Sequence, residues 1–359
     1  MIETINKVVE KYDLNGKVVR MEPHGNGHIN TTYLLETDKG EKYILQKINN
    51  GIFPNVAGLM GNVVAVTEYA RKVIEERGGN PDRESITVIF DKEGNSFVEV
   101  DGGYYRIIKY IDGVVYQVVE TPEDFYQSAV AFGNFAKLLA NFDATGLVEV
   151  IPNFHNTVSR FADFKKAIAE NKAGRLDSVK EEVQFYLDRE EYCSKIVELL
   201  DSGEMPVRVT HNDTKLNNVI FDKDTNKYLA VLDLDTIMPG SLCYDFGDSI
   251  RFGCNPCEED ERDLSKVIFD MNLFEQYAKG YLSSMGKDIT QIEKDHLAFS
   301  AILMTYECGM RFLGDHLNGD VYFKTHRENQ NLDRTRTHIK LISDMEKRFK
   351  EMTDIVDKY

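Results

Sequence analysis

Long hydrophobic runs are missing from this sequence, and no stretch approaches the apolar length that a bilayer-crossing helix requires. The opening segment "MIETINKVVEKYDLNGK" is amphipathic and lacks the charged-then-apolar plan of a signal peptide. A cytoplasmic protein with no membrane partner is therefore expected. Positive charge is also in short supply: 43 Lys and Arg face 60 Asp and Glu, a net charge of −17. A nucleic-acid surface needs clustered basic side chains, so no nucleic-acid partner is expected. The acidity reads as solubility, and it leaves room for one small phosphate ligand held by a metal or a local loop. Cysteines number five, with a single C-x-x-C at Cys254 and Cys257. No second pair and no histidines at set spacing follow, which argues against zinc and for free thiols. No internal repeat or low-complexity tract is present.

What is there is a chain of 359 residues, long for one compact core, so two lobes are expected. The first part reads as short strands broken by Gly, Asn and Asp: 17–23, 30–37, 42–48, 85–90, 96–100 and 104–111. One helical pattern, 62–79, interrupts them and stops at paired glycines. After Asp112-Gly113 helical periods dominate, over about 122–142, 156–171, 177–200, 263–285, 289–314 and 334–357. The strong strand signals in this half are 218–222 and 227–235, across the polar turn "KDTN". The expected fold class is α+β: a small β-rich N-terminal lobe over 1–111 and a large, mainly helical C-terminal lobe over 112–359. A cleft between such lobes is a natural ligand site.

The stretch "VTHNDTKLNNVIF", 209–221, is polar where its apolar frame suggests burial, and it contains H-x-D-x4-N as His211, Asp213 and Asn218. Asp233 follows on the return strand of the hairpin. A hairpin brings the start of its first strand beside the end of its second, so Asn218 and Asp233 can reach one ion. An amide oxygen plus a carboxylate is hard oxygen ligation, suited to magnesium carrying a nucleotide's phosphates. Asp213, in the loop upstream, is placed to hold an incoming hydroxyl and take its proton. That division of labour is what phosphoryl transfer requires. Asp235 either assists the metal or braces the loop. Asp245, in "YDFGD", reads as a structural acceptor beneath the catalytic loop. Between the first two strands, Gly25 and Gly27 let backbone amides approach phosphates without Cβ obstruction.

"HNDTKLNN" and "VLDLD" resemble the aminoglycoside phosphotransferase and choline kinase family, whose fold is protein-kinase-like. "GHINTTYLL", "YILQKIN", "LDLDTIMPGS", "DFGDSIRFG", "ECGMRFL" and "RTRTHIKL" carry the resemblance to the bacterial N-acetylhexosamine 1-kinases of that family, over residues 27 to about 341. The resemblance implies ATP-dependent phosphorylation of the anomeric hydroxyl of N-acetylglucosamine or N-acetylgalactosamine, giving the sugar 1-phosphate. It implies Asp213 as base, magnesium on Asn218 and Asp233, and a hinge at 107–113 where Tyr110 and Ile111 offer backbone groups to adenine. The alternative is another small-molecule kinase of the same family, with choline, an aminoglycoside or another sugar as acceptor. The third strand departs from the wider kinase pattern: Gln46 stands where a phosphate-contacting lysine is usual, and Lys47 comes one place later. Alternation sends the two to opposite faces, Gln46 inward and Lys47 into solvent.

A sugar pocket needs polar side chains for hydroxyls and an apolar wall for the ring. Arg311 lies in an otherwise apolar helix, and sugar contact and an ion pair with Glu307 both remain open for it. Arg251 and Phe252 follow the hairpin and are placed to line the cleft. Tyr322 and His28 complete the set. Core packing is the rival reading for Phe252 and Tyr322, and a satisfied loop histidine for His28. Arg251 and Arg311 would repel the cationic acceptors of the alternative reading. The partners expected are a sugar and ATP; the oligomeric state is left open, with a monomer favoured.

Overall fold

The computed structural model describes residues 2–25, 29–116 and 121–359. They form two compact units, and the first gathers three separate pieces of chain: Met1–Tyr116, Asn141–Ile151 and Asn218–Met238. The second comprises Gln117–Ala140, Pro152–Asn217 and Pro239–Tyr359.

In the first unit the strands β1 (Val18–Pro23), β2 (Thr31–Thr37), β3 (Lys42–Ile48), β4 (Val88–Ile89), β5 (Val98–Val100) and β6 (Gly103–Lys109) form an antiparallel sheet. The order is β1-β2-β3-β6-β4, with β5 also on β6. Alternation decides its faces: Tyr33 and Leu35 of β2, Tyr43 and Leu45 of β3, and Tyr105 and Ile107 of β6 all point into one core. The N-terminal helix Ile2–Val9 covers that core with Ile5 and Val8. The opposite face carries Gln46 directly across from Arg106.

The helix Val56–Glu76 starts earlier than the sequence suggests, because Asn55 caps it by accepting from the Gly58 amide at 2.9 Å. Its buried Asn62 explains the composite unit. The Asn62 amide donates to the Val148 carbonyl (2.8 Å) and the Ile237 carbonyl (2.9 Å), and its Oδ1 accepts from the Val148 amide (3.0 Å). One side chain thus ties three stretches of chain and leaves no buried polar atom of its own unpaired. The hairpin strands Val219–Phe221 and Tyr228–Val231 pair as expected, although the return strand is shorter than the apolar run implied.

The second unit is helical. Pro122–Leu138 packs on Met271–Met285 at van der Waals range because two glycines face the contact. A Cβ on Gly133 would lie 2.8 Å from the Tyr281 carbonyl, and one on Gly280 2.7 Å from the Tyr126 carbonyl. The long helix Gln291–Asn318 opens on a Thr290/Glu293 capping box and buries residues on all sides. The expected helix 177–200 is broken into Lys180–Leu187 and Lys195–Asp201, and 334–357 into Gln330–Lys347 and Phe349–Lys358. The expected 263–285 begins only at Met271, where Asp270 accepts from the amides of Asn272 and Leu273. A helix that the periodicity concealed, Leu242–Gly253, contains the "DFGD" stretch and is buried almost throughout. All five cysteines are free thiols. Among the described residues no helix is long and apolar enough to cross a membrane.

Candidate active site

The loop after the strand Arg208–Thr210 is held from below by the concealed helix. Asp245 accepts from the backbone amides of His211 and Asn212, both at 2.8 Å. Thr214 Oγ1 donates to the Asp245 carbonyl at 2.8 Å, Ser249 Oγ donates to the Thr214 carbonyl at 3.0 Å, and Tyr277 OH donates to Ser249 at 2.6 Å. Burial pushes the Asp245 carboxyl up, against the pull of His211 and the two amides. His211 is fully buried, edge-on to Phe132 and Phe135, and its Nδ1 accepts from the Asp213 amide at 3.2 Å. The backbone is left-handed at Asn212 (φ 64°), which turns the chain sharply just before Asp213.

The Asp213 carboxylate is half-buried, with Lys215 Nζ 2.8 Å away. Burial pushes the Lys215 ammonium down, but Asp213 outweighs it and the ammonium stays above its ordinary range. Lys215 also lies over the Phe252 ring, 5.9 Å from its centroid. Sequence reasoning gave Lys215 no role; its place two residues from the candidate base was the available signal.

In the other unit, Val219 pairs with Val231, and the Leu232 amide donates to the Asn218 carbonyl at 2.7 Å. The hairpin therefore does bring Asn218 and the end of the return strand together. Asn218 is buried and Asp233 is exposed, in a left-handed conformation (φ 54°, ψ 62°) that a non-glycine residue seldom adopts. Asp235 is committed elsewhere: Asn30 Nδ2 donates to Oδ2 at 2.6 Å, and Arg106 Nη1 lies 2.5 Å from Oδ1. It braces the loop. Asn218 and Asp233 offer a carboxamide and a carboxylate, oxygen ligands whose chemistry fits a hard divalent cation.

Arg106 in turn donates from Nε to Gln46 Oε1 at 2.9 Å, and Lys47 is exposed. Sequence reasoning passed over Arg106, although a charged residue amid the apolar run of β6 was a visible anomaly. Gly25 has φ 75°, the glycine-favouring region; Gly27 and His28 lie outside the described residues. The Tyr110 amide donates to the Lys42 carbonyl at 3.2 Å, and Ile111 is buried with Ile220 and Ala230.

Two expectations for the acceptor side are corrected. Arg251 is buried and neutralised, its Nε 2.8 Å from Asp248 and its Nη1 2.7 Å from Glu259, because a guanidinium in that apolar setting must be paired. It is not a free cation lining a pocket. The Glu307–Arg311 ion pair does not form either. Glu307 is taken by His155 Nδ1 at 2.8 Å and by Thr157 Oγ1 at 2.5 Å. Burial raises the Glu307 carboxyl, but His155, the Arg311 charge and Thr157 together hold the group low. Arg311 sits instead among rings, with Phe154, Tyr322 and Phe323 centroids 5.6, 5.7 and 5.5 Å from its guanidinium carbon, and Nη2 is 3.4 Å from Tyr322 OH. Core packing is excluded for Phe252 and Tyr322, which are 45% and 67% exposed. Glu259, Cys308 and His338 have metal-ligand spacing, but Arg251 already supplies the cation there, 3.4 Å from His338 Nε2. Burial pushes the Cys308 thiol up to about 11, against the pull of the Arg251 and Arg311 charges.

Residues 20–282 match the phosphotransferase enzyme family. An aminoglycoside phosphotransferase from Alicyclobacillus acidocaldarius has a similar structure, with a TM-score of 0.60 at 13% identity over 99% of this chain and 96% of that one. A Plasmodium vivax ethanolamine kinase gives 0.53 at 13% identity, covering 89% and 82%. An amicoumacin kinase solved in complex with AMP-PNP, Ca2+ and Ami gives 0.56 at 11% identity, covering 98% and 93%. At these identities the likeness is one of fold, the α+β, protein-kinase-like fold expected from the sequence.

Proposed function

The chain belongs to the phosphotransferase enzyme family, and we propose that it uses ATP to phosphorylate the anomeric hydroxyl of N-acetylglucosamine or N-acetylgalactosamine. Asp213 orients that hydroxyl and takes its proton as the oxygen attacks the terminal phosphorus. The bond from phosphorus to ADP breaks, and the products are the sugar 1-phosphate and ADP. A divalent cation on Asn218 and Asp233, when bound, would neutralise phosphate charge. Lys215 lies beside Asp213 at 2.8 Å and positions its carboxylate. Backbone amides around Gly25 and Gly27 cover phosphates. Gln46 steadies Arg106, and the hinge at Tyr110 and Ile111, with the apolar bed of Ile111, Ile220 and Ala230, receives adenine.

The acceptor class rests on one observation. Arg311 is held by three ring faces and has no carboxylate within 4 Å among the described residues. Ring faces contact the guanidinium without saturating its donors, so it can serve sugar oxygens and it disfavours a polycation. Tyr322 and Phe252 offer exposed rings, and His28 a further polar contact, for the sugar.

An ADP-release assay across N-acetylglucosamine, N-acetylgalactosamine, unmodified hexoses, choline, ethanolamine and kanamycin tests this. Turnover is expected with the N-acetylated sugars. Turnover of an amine-bearing acceptor with none of the sugars would remove the reading.

A further inference from the structure

A cavity of about 310 Å³ opens between the helices Thr157–Glu170 and Gln291–Asn318. Its wall includes Arg160, Phe164, Met310, Arg311, Tyr322 and Phe323. The volume is at the small end for ligand pockets, which suits a small molecule.

Two guanidiniums share this wall, and among the described residues neither has a carboxylate within 4 Å. Phe154 couples them: its carbonyl accepts from Arg160 Nε at 3.1 Å, and its ring lies under Arg311. Both terminal nitrogens of Arg160 are thus left to donate. Burial and the neighbouring Arg311 charge hold the Arg160 guanidinium below its usual range, the signature of like charges brought together.

The lining carboxylates do not cancel this charge. Asp315 is saturated by the amides of Val321 (2.9 Å), Tyr322 (2.8 Å) and Phe323 (3.0 Å) and by Asn331 (2.9 Å). Those bonds also fix the 321–323 segment as a rigid wall. Glu170 is engaged by Lys172 at 3.1 Å, and Asp163 stands exposed and beyond ion-pair distance of either arginine. Glu307, held by His155 and Thr157, and Asp163 act on these charges only from beyond ion-pair distance. On a chain of net charge −17, a pocket with two guanidiniums that no carboxylate pairs directly is a local exception that favours a counter-ion.

We infer that this pocket binds a small molecule bearing an oxyanion, a phosphate monoester or a carboxylate, clamped between Arg160 and Arg311 with its carbon skeleton against Phe164, Met310 and Tyr322. Planar donor forks on two sides match the oxygens of such a group. The oxyanion belongs either to an acidic acceptor or to a separate effector; the recognition chemistry is the same. Arg311 also figures in the acceptor reading, whereas Arg160 does not, so Arg160 carries the test.

Calorimetric titration of the full chain with inorganic phosphate, glucose 6-phosphate and glucuronate needs no turnover and is independent of which acceptor is phosphorylated. Binding of glucose 6-phosphate or glucuronate is expected at low salt, weakened about tenfold or more in Arg160→Gln and partly restored in Arg160→Lys. Slower hydrogen exchange over 157–170 and 310–323 in the wild-type protein with ligand present is expected as well, and it requires no variant. In the ADP-release assay, stimulation by the anion alone assigns it to the acceptor; a changed rate with a neutral acceptor assigns it to an effector. No heat and no exchange protection in the wild type, or unchanged affinity in a folded Arg160→Gln, would overturn the inference.

Discussion

Arg106 and Asp235 form a buried ion pair, Nη1 to Oδ1 at 2.5 Å, with both side chains at most 5% exposed. The pair joins the middle of β6 to the turn that follows the hairpin. Asp235 has both oxygens engaged and is buried, whereas Asp233, two residues earlier, is exposed.

Opposite phenotypes are therefore expected from two substitutions two residues apart. Asp235→Ala strands a buried guanidinium and should cost about 3–5 kcal/mol of stability. Asp233→Ala should leave the melting temperature nearly unchanged and weaken magnesium-nucleotide binding. Thermal melts and nucleotide titrations of both variants check this. Intact nucleotide affinity in a folded Asp233→Ala protein would return the metal role to another residue.

Asp213→Ala should abolish detectable turnover, a loss of about 10²-fold or more for removing a general base, while nucleotide still binds. Single-turnover kinetics with labelled ATP is the measurement. A wild-type rate would remove Asp213 from the mechanism.

Asp245→Ala should act on the same loop from behind. It removes the acceptor of two buried amides, His211 and Asn212, at about 1–3 kcal/mol of stability. Misplacing Asp213 by a fraction of its hydrogen-bond length should lower kcat by about 10²-fold, with a smaller change in KM for ATP. Equal loss in both constants would point to general unfolding instead.

His338 gives a pH dependence with a definite sign. Burial depresses its pKa from 6.5 to about 4, so the unfolded chain binds the proton more readily than the folded one. Stability is fully present above pH 6.5 and falls as pH drops through the window down to about 4, by up to about 3 kcal/mol for this group. Melting temperatures measured across that window should fall less steeply in His338→Gln than in the wild type. Parallel curves would mean that other groups govern the acid limb.

Much of the site could be read from order along the chain. The H-x-D-x4-N spacing, the polar turn "KDTN" and the apolar runs beside it are local signals, and a hairpin follows from them because strand pairing and turn chemistry act over a few residues. The alternation in β2 and β3 likewise specified which residues enter the core. The helix Leu242–Gly253 was not legible, because nine of its twelve residues are buried, Asp245 and Asp248 among them, so its charged residues do not mark a solvent face.

Partnerships between charged groups were decided only in three dimensions. Glu307 and Arg311 have the four-residue spacing of a helical ion pair, yet Glu307 turns to His155 and Thr157. Arg251 looked available and is consumed by Asp248 and Glu259; Arg311, left open between a sugar contact and a Glu307 pair, forms no such pair and lies beside the Tyr322 hydroxyl. By itself the sequence determined the strands of the sheet and the hairpin and pointed to a candidate residue set for phosphoryl transfer, since these depend on near neighbours in the chain. The tertiary structure decided which charges are cancelled and which remain to meet a ligand. The reason is that desolvation and Coulomb pairing depend on distance through space, and the side chains that cancel one another here come from segments up to about 150 residues apart.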